Sequence, residues 1–123
     1  MVQQLPGIGS DGPTLAREFI VSGYAALLRV TVLGDDTISG QLNAGVAMGK
    51  ITATGKYGQY DDAAVDGRED MVGLLGEPVD ARTADGDAQG LLVVGFVVVD
   101  ENKTTGVDAN GKIDVGDRFV WVS

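Results

Sequence analysis

The chain has 123 residues, no cysteine and no histidine, and a formal net charge of -9 from 18 acidic and 9 basic side chains. That length fits one compact domain. The missing thiols and imidazoles exclude disulfides, thiolate nucleophiles, Cys-type zinc sites and the commonest general base near neutral pH, and the acidic balance disfavours phosphate backbones and anionic membranes as partners.

Hydrophobic residues make up 44%, enough for a core, and 19 glycines without a period of three forecast tight turns between short strands. Residues 1–13 (MVQQLPGIGSDGP) are polar, with two prolines and three glycines, and read as a flexible or extended arm ahead of a single β-rich domain over residues 14–123. Val2, Leu5 and Ile8 are scattered apolar anchors in that arm, and Gln3 and Gln4 hydrogen-bond without bringing charge; such a segment orders on a partner. The start lacks the basic and apolar pattern of a signal peptide, and no apolar run approaches the roughly 18 residues of a membrane span, so a cytosolic product is expected.

Residues 15–19 allow a helical turn, Ile20-Val21 favour strand, and Gly23 is expected to break either. Residues 26–33 read as a strand, with Leu28, Val30 and Val32 on one face and Arg29 and Thr31 on the other. A turn at Gly34-Asp35-Asp36 follows. Residues 45–53, 71–75, 90–99 and 118–122 read as short strands, and 61–67 as a loop or one helical turn. Asn110-Gly111, flanked by apolar residues, predicts a type I′ hairpin turn. Residues 91–99 (LLVVGFVVV) do not alternate, which requires cover on both faces: either the strand is central in a barrel or a partner subunit covers its second face. No helix beyond about two turns is expected, so the fold class is all-β, or β-rich with minor helix.

The candidate chemistry is thin. The pairs Asp61-Asp62, Asp85/Asp87 and Asp114/Asp117 lie in glycine-rich loops, where Asp makes turns and stays solvated. Residues 108–119 resemble the start of a calcium loop but fail its count, with glycine fourth, Lys112 fifth and Phe119 twelfth. Gly49-Lys50 and Gly55-Lys56 lack the phosphate-loop pattern. Serine and threonine have no histidine base; a Ser-Lys arrangement stays open, without a nucleophile elbow. Phe119 and Trp121, at strand spacing, form either a ligand-stacking platform or, more commonly, an anchor for a core or an oligomer contact. No catalytic, metal or cofactor residue is assigned.

Residues 42–99 carry a resemblance. Gly45-Val46-Ala47-Met48-Gly49-Lys50-Ile51, then Thr-Ala-Thr-Gly-Lys-Tyr over 52–57, Ala63 to Gly67, Val72 to Leu75 and Val79-Asp80-Ala81 follow in one order and spacing. This pattern resembles the head decoration proteins of tailed phages, the family that includes the lambda-type capsid-stabilising protein. Residues 27–40 look inserted ahead of it, and residues 102–123 lack the family's helical ending and finish on a strand. The resemblance implies a small β-clip or barrel-like domain, assembled as a homotrimer on the outer surface of an expanded phage capsid. It further implies that the chain stabilises that shell against internal DNA pressure, with the major capsid protein as partner, no cofactor, and neither nucleic acid nor membrane bound. On that view the arm residues Val2, Gln3, Gln4, Leu5 and Ile8 carry capsid binding. The competing class is a small non-viral β-barrel binding module without catalysis.

Overall fold

The computed structural model describes residues 19–33, 41–80 and 87–123. Valine-rich stretches give the two long strands, β1 (Ile20–Val32) and β5 (Ala88–Asp100), because branched side chains pack well on a pleated surface. Four short strands accompany them: β2 (Ala47–Lys50), β3 (Tyr57–Gln59), β4 (Met71–Leu75) and β6 (Phe119–Val122). One helix, α1 (Ala109–Val115), and two single 3-10 turns connect β5 to β6.

The strands lie in the order β1-β3-β2-β4-β5-β6, and β1 pairs again with β5. The first five strands therefore close into a barrel, and β6 extends the sheet from the far half of β5. β5 serves both purposes by changing partner along its length. Its Val93 and Leu92 lie opposite Leu74 and Leu75 of β4, while Val97 to Asp100 run parallel to Phe119 to Val122 of β6. Along its other edge β1 is antiparallel over the whole length, from Ile20 opposite Val99 to Val32 opposite Ala88.

The interior divides into two apolar clusters. One gathers Phe19, Tyr60, Met71, Leu74, Val97 and Phe119 with their neighbours, the other Val32, Leu42, Met48, Leu75 and Leu92 with theirs. Consecutive Leu92 and Val93 are both buried because each feeds a different cluster. The missing alternation of residues 91–99 thus reflects cover on both faces by the subunit's own core around Leu92 and Val93, with Val94 packed against the second cluster. Farther along the same face Val98 is half-buried and Phe96 exposed.

Three expectations need correction. Gly23 does not break its strand: β1 runs through it on a positive φ of 105°, as part of a bulged register with β5. A Cβ at that position would stand 2.6 Å from the Phe96 carbonyl oxygen, so glycine is what permits this approach. Asn110-Gly111 does not turn a hairpin; it lies inside α1. Asp108 caps this helix by accepting a hydrogen bond from the Gly111 N–H at 2.7 Å, and Gly116, at φ 59°, ends it with its N–H directed to the carbonyls of Lys112 and Ile113. Gly111 is there for space rather than for a positive φ, since an added Cβ would lie 2.9 Å from Met71 Sδ and 3.3 Å from the Tyr60 ring. Finally, residues 102–123 do carry helix, in α1, ahead of the expected terminal strand. The segment that looked inserted supplies half of β1 through Leu27 to Val32, integral to barrel closure; residues 34–40, with the expected turn, lie outside the described residues.

Candidate interaction surface

The acidic pairs act as structural fasteners. Asp61 accepts from the Ala63 N–H, closing its own turn, and Asp114 accepts from the Met71 N–H at 2.9 Å, tying α1 to the start of β4. Tyr60 donates its hydroxyl to Asp108 at 2.8 Å and stands 3.3 Å from Asp62, which also accepts from Asn110. Burial, then the two carboxylates, push the Tyr60 hydroxyl well above its ordinary pKa, so it remains a donor. The Gly111 N–H and then the Tyr60 hydroxyl hold Asp108 below the usual carboxylate range, and the Arg68 guanidinium does the same for Asp66. Asp87 pairs with Lys56; Asp85 lies outside the described residues. Among the described residues, no three acidic side chains are grouped to hold a metal.

Phe119 and Trp121 stack at 5.5 Å with their planes 16° apart; Phe119 is buried in the first cluster and Trp121 packs partly buried against it. The pair therefore anchors β6 to the core, and Lys112 Nζ lies 5.7 Å from the Trp121 ring centre.

The outward face of β1, β5 and β6 is largely apolar. The pairing of β5 with its two neighbours lines up Ser22, Val98 and Val120 across three strands. Around that row Val21, Phe96, Val120 and Val122 are exposed, Phe96 by 66%. Phe96 adopts a φ of 56°, a left-handed conformation disfavoured for an aromatic residue. It follows Gly95, where a Cβ would meet the Arg118 side chain at 2.6 Å. The chain thus accepts backbone strain at a position that turns a large aromatic ring to solvent, a combination that marks contact sites.

Two strand edges also lack partners among the described residues. β6 pairs only with β5, and β1 pairs on its second side only through Val32 with Tyr57 of β3. Leu27 and Leu28 are exposed along that β1 edge. Neither edge was evident in the sequence, because which strands end a sheet depends on pairing between distant segments. The arm residues Val2, Gln3, Gln4, Leu5 and Ile8 lie outside the described residues.

Barrel and surface together define a small β-rich protein whose exposed features are those of protein contact: an apolar strand face and open backbone edges. A family model described as bacteriophage lambda head decoration protein D matches residues 41–114, well over half of the chain, and the protein belongs to that family of phage capsid decoration proteins. The match spans β2 to β5 and most of α1, and leaves β1 and β6 outside. No curated protein and no solved structure gives a significant match.

Proposed function

We propose that the protein binds the outer surface of the expanded phage capsid as a homotrimer and stabilises the shell against the pressure of packaged DNA. The observation that carries this reading is the family match across the barrel. The apolar face around Phe96 and Val120 supports self-association, since it gives a chain of net charge -9 an uncharged surface on which copies can meet. The reading needs no catalytic group and no cofactor.

The mechanism is multivalency. A trimer that touches several capsid subunits makes its later contacts intramolecular, so modest contacts sum to strong retention. Affinity for the expanded shell alone stabilises that state by mass action. Residues 1–13 supply the shell contact, with Val2, Leu5 and Ile8 as apolar anchors and an uncharged backbone free to add to a strand edge of the major capsid protein.

Cosedimentation with expanded and unexpanded undecorated capsids tests this. The full chain should pellet with expanded shells only. A chain lacking residues 1–13 should fold and self-associate but bind those shells at least tenfold more weakly. Equal binding by the two chains would move the shell contact onto the barrel, and no binding by the full chain would end the decoration reading.

A further inference from the structure

Trimerisation, as read above, leaves open which surfaces meet, and the open strand edges bear on that choice. β1 has no strand partner on its outer side from Ile20 to Thr31, and β6 has none on its outer side from Phe119 to Val122, among the described residues. An unpaired edge presents a row of N–H and C=O groups that will pair with another strand unless it is blunted. Natural edges are blunted with lysine, proline or inward charges. β6 reads Phe-Val-Trp-Val and has none of these. Arg29 is the only charged residue of β1.

The chemistry of the two edges is unlike, and that selects between two ways of joining copies. Exposed Arg29 has no ion-pair partner among the described residues. β6 is flanked by exposed Asp117, and Asp100 of β5 lies beside Val122. The two cations beside β6 are already engaged: Arg118 donates from Nε to the Val115 carbonyl and from its guanidinium to the Val94 carbonyl, and Lys112, over the Trp121 ring, pairs with Glu101. Joining β1 to β1 sets arginine against arginine, and joining β6 to β6 sets acid against acid. Joining β1 of one copy to β6 of the next sets Arg29 near acids, and brings exposed apolar residues of β1 against Val120 and Val122.

Resting on the homotrimer reading, we infer that the β1 edge of one copy pairs with the β6 edge of the next, a head-to-tail contact that closes into a ring of three. Such heterologous contacts generate rings when the rotation closes. Phe96, one strand in from β6, caps the joint with its exposed ring. Both mating strands lie outside the family-matched span.

The test uses two double variants of the full chain, each with lysines placed at exposed positions. Val21→Lys with Leu27→Lys blocks the β1 edge; Val120→Lys with Val122→Lys blocks the β6 edge. Circular dichroism and melting confirm folding, and sedimentation velocity reads mass. The wild type should run at three times the 12.7 kDa chain mass. Each variant alone should run as a monomer, and an equimolar mixture should give a dimer, because one intact β1 edge then meets one intact β6 edge. A monomeric wild type would overturn the homotrimer reading itself. A trimeric wild type whose variants remain trimeric, or whose variants are monomers that fail to pair when mixed, would overturn the head-to-tail joint. Variants that keep the trimer but lose binding to expanded capsids would assign these edges to the shell protein and also overturn it.

Discussion

Phe96 combines a left-handed backbone with a side chain that gains little burial within its own subunit. An L-residue in that conformation costs roughly 1–2 kcal/mol, whereas glycine adopts it freely. Phe96→Gly should therefore leave the stability of the separated subunit within about 1 kcal/mol of wild type, far from the roughly 3–5 kcal/mol of a core Phe truncation. The same change should weaken self-association. Denaturant unfolding under dissociating conditions, beside sedimentation equilibrium, checks both halves. A loss of several kcal/mol in the isolated subunit would show that Phe96 serves the barrel instead. Gly111 poses the opposite case. It sits against Met71 Sδ and the Tyr60 ring, so Gly111→Leu should overpack this junction and destabilise by about 1–3 kcal/mol, read as a lower denaturation midpoint. An unchanged midpoint would show that α1 stands clear of the barrel.

At the level of elements, local pattern and distant pairing divide the outcome. Residues 71–75 form β4 with the expected bounds, because an apolar run between a polar loop and Gly76 has few alternatives. The terminal strand over Phe119 to Val122 and the core-anchoring pair within it were legible for the same reason. Residues 108–116 were not. Asn-Gly favours a hairpin only when strands flank it, and here Asp108 meets the Gly111 N–H three residues on and caps a helix instead. That signal was present as an Asp three positions before a buried glycine, and turn propensity outweighed it. Gly23 misled in the other direction, since a bulge absorbs a glycine that would end a regular strand. The open edges of β1 and β6 were illegible from any local window. They arise because β5 switches from β4 to β6 midway, and because β3 reaches β1 only at Val32.

For the whole molecule, the barrel positions its exposed features in a consistent way. The first described residue, Phe19, accepts through its carbonyl from the Asp100 N–H at 2.7 Å. This contact sits where β5 runs between β1 and β6, the three strands that carry the exposed apolar face. Assembly of three copies would turn three weak shell contacts into one strong attachment. Among the described residues the acidic side chains lie mostly in loops and caps, which keeps the strand face free for contact.

The most direct measurement is electron cryo-microscopy of expanded, undecorated capsids incubated with the purified protein. The account predicts added density on the outer surface only, in protrusions of threefold symmetry into which three barrels fit. Shells without added density, density on the inner surface, or protrusions sized for a single barrel would contradict it.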